Sequence, residues 1–70
     1  MNAQSILQKA RLAVVESGLT YEKLGQKMGW PKESARQSSF QFLHSTNPSV
    51  AMLIRFAKAM EIDVRNLFED

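Results

Sequence analysis

Apolar residues recur at helical spacing along almost the whole chain. Ile6, Ala10, Ala13 and Val14 repeat at i, i+4, i+7 and i+8, with Leu7 and Leu12 beside them. This pattern predicts a first helix over about residues 3–17, and Gly18 supplies the left-handed residue that ends it. Thr20 suits the N-cap of a second helix over about 20–28, in which Tyr21, Leu24 and Met28 share one side. Gly29 closes that helix. Gly25 stands in its middle, where glycine costs about 1 kcal/mol relative to alanine. Close approach of a neighbouring helix is the expected reason for it.

Trp30-Pro31 then interrupts the pattern. Two starts are open for a third helix. Proline is tolerated at the first helical position, which gives a helix over about 31–44. Ser34, with Gln37 three residues later, also forms a capping box. Ser45, Thr46, Asn47 and Pro48 make a turn, and Ser49 caps a fourth helix over about 49–60. Its stripe of Val50, Leu53, Ile54, Ala57 and Met60 is the clearest amphipathic pattern in the chain. Asp63 caps a short fifth helix, about 63–69, carrying Val64, Leu67 and Phe68. No stretch alternates as a strand does, and no linker divides the chain. One all-α domain of five helices over residues 1–70 is expected.

Composition narrows the function. At 70 residues the chain buries only roughly 60% of its unfolded surface, which leaves a small core. A deep metabolite pocket is not expected, so neither a small-molecule substrate nor a cofactor is assigned. There is no Cys and a single His, which excludes disulfides, thiolate metal sites and a His-pair site; no metal is assigned. Glu22 and Glu33 stand with no nucleophile or second acid/base partner, so no catalytic residue is assigned and an enzyme is not expected. The Met residues at 28, 52 and 60 read as core filling rather than a cofactor box. No apolar run approaches the roughly 20 residues of a membrane span, and the first residues lack signal-peptide order. A soluble, cytoplasmic protein is the expectation. Charge is uneven: residues 1–60 carry eight Lys/Arg against three Asp/Glu, while residues 61–70 carry four acids against Arg65. A basic body suits an anionic partner.

"GLTYEKLGQKMG", followed by a helix and then "NPSVAMLIRFAKAMEIDVRNLFE", resembles the phage repressor/Cro-type helix-turn-helix family, also called the XRE family. The family pattern Leu-Thr-x-x-x-Leu-Ala-x-x-x-Gly is met by Leu19, Thr20, Leu24, Gly25 in place of Ala, and Gly29. Its second half is met by Pro48, Ser49, Leu53, Phe56-Ala57, Met60 and Leu67-Phe68. The resemblance covers about residues 5–68 and implies a repressor-like helix-turn-helix fold with the third helix as the DNA-reading helix. It places Phe42 at a buried position near the end of that helix, and Ser39 at the preceding one, where Ile or Val is usual. It places Arg36, Gln37, Ser38 and Gln41 where members commonly face DNA. The stretch between Gly29 and Pro48 is about three residues longer than the pattern, with the excess in Trp30 to Ser34.

Helical spacing divides the third helix in the same way. Ala35, Ser39, Phe42 and Leu43 share one side; Arg36, Gln37, Phe40, Gln41 and His44 share the other. The major groove of DNA admits one α-helix, arginine fits guanine O6 and N7, and glutamine fits adenine N6 and N7. Base contacts are therefore expected from Arg36, Gln37, Phe40 and Gln41, with Phe40 against a thymine methyl or else packed on Trp30 or a partner chain. Phosphate contacts are expected from Thr20 and Tyr21 at the start of the second helix, where N–H groups attract anions. Lys32, Ser38, Ser45, Thr46 and Asn47 complete that set, with Lys27 as a further candidate. The resulting expectation is a sequence-specific transcriptional regulator on double-stranded DNA. Members of that family often bind paired half-sites as dimers, so the resemblance makes a homodimer a possible partner; the exposed remainder of the fifth helix and the C-terminus are the expected contact. The other reading is a protein-interaction or antitoxin-like module of the same fold that does not itself bind DNA. It draws on the low net charge, the outward Phe40 and the acidic end.

Overall fold

A computed structural model describes residues 2–68. Among these residues the chain forms four α-helices, α1 (Ala3–Ser17), α2 (Tyr21–Lys27), α3 (Lys32–Leu43) and α4 (Val50–Met60), followed by a 3-10 turn (Val64–Leu67). No strand occurs among them. The all-helical expectation holds, but the fifth element is one 3-10 turn rather than an α-helix. It is too short for i→i−4 bonding to propagate; the Asp63 carboxylate caps it by accepting from the Arg65 N–H at 2.9 Å. Residues 69 and 70, at the end of the expected fifth helix, lie outside the described residues. Among the described residues no helix is long and apolar enough to cross a membrane.

Local chemistry accounts for the helix ends. The Asn2 side chain accepts from the Ser5 N–H at the start of α1, and Gly18 ends that helix at φ 77°. Thr20 caps α2 through the Lys23 N–H at 3.1 Å, and Ser49 caps α4 through the Met52 N–H at 3.1 Å. The end of α2 is a Schellman motif. Gly29 sits at φ 105°, its N–H donates to the Gln26 carbonyl, and the Trp30 N–H donates to the Gly25 carbonyl at 3.0 Å. The end of α4 uses the same two bonds, Glu61 to Lys58 and Ile62 to Ala57. There Glu61, not glycine, takes the left-handed conformation, at φ 58°.

Of the two starts open to the third helix, the earlier is adopted. Pro31 is the N-cap at φ −66°, ψ 155°, and the helix runs from Lys32. The capping box at Ser34 does not form. Ser34 is already inside the first turn: its N–H donates to the Pro31 carbonyl at 3.1 Å, and its hydroxyl turns back to the same oxygen at 3.4 Å.

The core gathers one side of every element: Ile6, Leu7, Ala10 and Val14 from α1, Leu24 from α2 with Met28 just after it, Phe42 and Leu43 from α3, Leu53 and Phe56 from α4, and Leu67. Phe42 and Phe56 meet at 5.7 Å between ring centroids, tilted by 43°. Trp30, Met52 and Met60 are partly buried against this cluster. Three expected apolar positions point outward instead. Leu12 is 56% exposed, Val50 64% and Ile54 41%. In α4 the buried line is Leu53, Phe56 and Ala57. Ile54 lies about 100° round the helix from Leu53, off that line, and Val50 occupies the first turn, one turn before the core begins.

Candidate nucleic-acid interface

The position of α3 is set by its contacts with α2 and α1. Gly25 of α2 faces the backbone of Ala35: a Cβ built on Gly25 would meet the Ala35 carbonyl oxygen and lie 2.7 Å from both its carbonyl carbon and its Cα. This is the close approach that the mid-helix glycine predicts. One turn along, Ser39 is fully buried, and its hydroxyl donates to the Tyr21 carbonyl at 2.8 Å. Ser39 thus tethers α3 to the first turn of α2, and its polar atom is satisfied. At the far end the Arg11 guanidinium donates to the Leu43 carbonyl at 2.6 Å. A cation there meets the negative end of the helix and satisfies one of its last carbonyls. Nothing in the local pattern around Arg11 announces this contact, which spans 32 residues.

Ala35, Ser39, Phe42 and Leu43 are buried, and Arg36, Gln37, Phe40, Gln41 and His44 are exposed. The division expected from spacing is therefore the one adopted. The early start extends the outward face by a turn. Lys32, Arg36 and Phe40 follow one another at i, i+4 and i+8, and Glu33, Gln37 and Gln41 form the row beside them.

Tyr21, Arg36, Gln37 and Phe40 converge on an open cleft of about 360 Å³ between the start of α2 and the outer face of α3. Phe40 is 53% exposed but is flanked on two sides. His44 stacks on it with centroids 4.3 Å apart and planes 27° apart, and Tyr21 lies 6.3 Å away at 54°. Its aromatic neighbours are thus Tyr21 and His44, not Trp30. The i, i+4 pairing of Phe40 with His44 is readable in the sequence, whereas the approach of Tyr21 depends on how α2 meets α3.

The expected phosphate contacts are less uniform. Lys32, Thr46 and Asn47 are exposed, Ser38 is half-buried, and Lys27 is exposed in the last turn of α2. The Thr20 hydroxyl accepts from the Lys23 N–H as a cap, which leaves its O–H free to donate. The Ser45 hydroxyl donates to the Phe42 carbonyl at 3.0 Å, so it closes the end of α3 before it could serve any ligand. Thr46 and Asn47 follow it, beyond the helix.

Among the described residues the one ion pair is Asp63–Arg65, at 2.6 Å. The Arg65 guanidinium and N–H bonded to Asp63 lower its pKa to about 2. No set of three potential metal ligands converges among these residues. Compared with family models, with curated proteins and with solved structures, the chain matches none.

Proposed function

We propose that this chain is a sequence-specific double-stranded DNA-binding regulator of the repressor-like helix-turn-helix kind. In this reading α2 and α3 form the helix-turn-helix, and α3 enters the major groove. The observation that carries the reading is the outward face of α3. Lys32, Arg36, Gln37, Phe40 and Gln41 all lie exposed along one helix, and that helix is fixed by a glycine contact, a buried hydroxyl and an arginine at its end. A polar outer face is ordinary on a surface helix; what supports the reading is that this helix is firmly held and carries Arg36, Gln37 and Gln41 together on that face. Arg36 suits guanine and Gln37 and Gln41 suit adenine, each good pair discriminating by about 1–3 kcal/mol. The early start brings Lys32 and Glu33, both exposed, toward the DNA; in this reading Lys32 bonds phosphate and helps to fix the register of the helix.

The test is binding to a random duplex pool as a function of salt, followed by selection of a preferred site. Affinity should fall with salt at a log–log slope of about −0.9 per phosphate neutralised. Arg36→Ala should relax base preference, whereas Lys32→Ala should weaken all sequences alike and flatten the slope by about one contact. Absence of binding at about 50 mM salt, with protein above the roughly 10⁻⁴ M weak limit of non-specific affinity, refutes the proposal.

The second reading is a protein-interaction module, and exposed Phe40 favours it. A partner that buries Phe40 and Gln41, with DNA binding absent, would establish it. The homodimer remains part of the first reading and would place two reading helices about 34–36 Å apart. A contact through the C-terminal turn has little apolar surface to draw on, because Leu67 is buried and Phe68 packs on the core.

A further inference from the structure

We infer that the cleft lined by Tyr21, Arg36, Gln37 and Phe40 is a subsite for a single A·T base pair, with the thymine C5-methyl group against its aromatic wall and the adenine edge on Gln37. This rests on the DNA-binding reading above and goes further by naming what one part of the surface selects.

The cleft has two kinds of wall. Tyr21 and Phe40 give an apolar, aromatic side; Arg36 and Gln37 give donors and acceptors. In the major groove an A·T pair alone combines the adenine N7 acceptor and N6 donor with the thymine O4 and a methyl group. A glutamine amide next to an apolar wall is complementary to that combination. A G·C pair offers no methyl group, and its amino donor, cytosine N4, lies on the other base from the guanine N7 acceptor.

Phe40 is placed to act as a wall rather than as a mobile exposed ring. His44 stacks on it at 4.3 Å, and Tyr21 flanks it at 6.3 Å. The ring thus packs against two aromatic neighbours, which restrict its rotamers and lower the entropy lost on binding. The backbone beneath Tyr21 is held as well, because its carbonyl accepts from buried Ser39. Both walls of the cleft are thus fixed to each other through the same α2–α3 contact.

The spacing also constrains the neighbouring base. Arg36 and Phe40 are four residues apart, a rise of about 6 Å along the helix, against about 3.4 Å per base pair. A guanine read by Arg36 should therefore lie one or two base pairs from the thymine read by Phe40.

Deoxyuridine removes the methyl group and leaves every hydrogen-bonding group in place. In the selected site, replacing that thymine by deoxyuridine should weaken binding by about fourfold, the equivalent of one buried methyl at about 0.8 kcal/mol. Deoxyuridine at the other thymines of the site should have no such effect. In Phe40→Ala the thymine-to-deoxyuridine ratio should fall to about one while the guanine preference persists; in Phe40→Leu most of the ratio should remain. A defined site with no thymine within two base pairs of the Arg36-dependent guanine overturns the inference. So does equal binding of thymine and deoxyuridine, or a ratio that survives in Phe40→Ala. In each of those cases the DNA-binding reading stands. Failure to select any site removes both.

Discussion

Gly25→Ala tests the central contact of the domain, because two opposing effects can be sized. Alanine is the better helix former by about 0.8–1.0 kcal/mol, and the family pattern that the sequence resembles has alanine at this position. Propensity and resemblance therefore both predict a stabilised variant. The packing predicts the reverse. The new Cβ would stand 2.7 Å from the Ala35 carbonyl carbon and Cα and closer still to the carbonyl oxygen, where ordinary contact begins near 3.4 Å. All three obstructing atoms are backbone inside α3, so no rotamer change relieves them. The helices must separate by at least about 0.7 Å, the difference between those two distances, and Ser39 at the next turn ties them together. Overpacking of this kind costs about 1–3 kcal/mol, and a backbone obstruction belongs at the upper end. After the gain in propensity, a net loss of about 1–2 kcal/mol is expected. In a domain of this size that lowers the melting temperature by very roughly 5–15 °C. Urea unfolding should show a lower midpoint at unchanged slope. A midpoint that rises would mean that α2 and α3 are not in backbone contact at Gly25.

Other outcomes follow from the same geometry. Arg11→Ala should destabilise by about 1.5–3 kcal/mol, the range for a charge-assisted bond to a partly buried carbonyl; a loss within about 0.3 kcal/mol in urea unfolding would show that water replaces it at Leu43. Glu61→Gly should raise stability by about 0.5–1 kcal/mol, because a left-handed L-residue costs about 1–2 kcal/mol and glycine returns part of that through the unfolded chain; calorimetry showing a lower melting temperature would contradict the Schellman end of α4. The Asp63 pKa is depressed to about 2 from an ordinary 3.8, so its contribution is fully present above about pH 4 and is lost as pH falls through about 2. Asp63→Asn should remove that part of the acid dependence of stability, and a pH 2–4 profile identical to the parent would show that the Arg65 pairing does not persist in solution.

The features legible from sequence were the local ones. Cap residues such as Thr20, Ser49 and Asp63 act through side chains two or three residues from their partners, so spacing alone identifies them. The buried and exposed sides of α3 were legible for the same reason, since a helix converts spacing directly into direction. The glycine at position 25 was readable as a signal of close approach, but not which residue approaches. Arg11 reaches α3 across 32 residues, and no periodicity encodes that. Leu12, Val50 and Ile54 show the complementary failure. Apolar periodicity marks which residues could face a core, but the neighbouring elements decide how wide that core is, and in a small domain it is narrower than the pattern.

The start of α3 shows how a nonlocal choice can be made by a short connection. Sequence offers two starts, Pro31 and the Ser34 capping box, and nothing within α3 distinguishes them. The end of α2 does. Its Schellman bonds commit the Gly29 and Trp30 N–H groups to α2 carbonyls, so the chain leaves that helix only at Pro31. Proline at φ −66° with ψ 155° is already in an N-cap conformation, and its carbonyl accepts from Ser34. A start at Ser34 would need three further extended residues between the helices. Those residues would carry Ala35 away from Gly25 and forfeit the closest contact between α2 and α3. Residues 32–34 are therefore a turn of helix rather than loop. That turn places Lys32 in line with Arg36 and Phe40, and Glu33 in line with Gln37 and Gln41. On the DNA-binding reading, the three residues gained by the early start lengthen the surface presented to the groove by about 4.5 Å, and the same start keeps the Gly25–Ala35 contact that holds it.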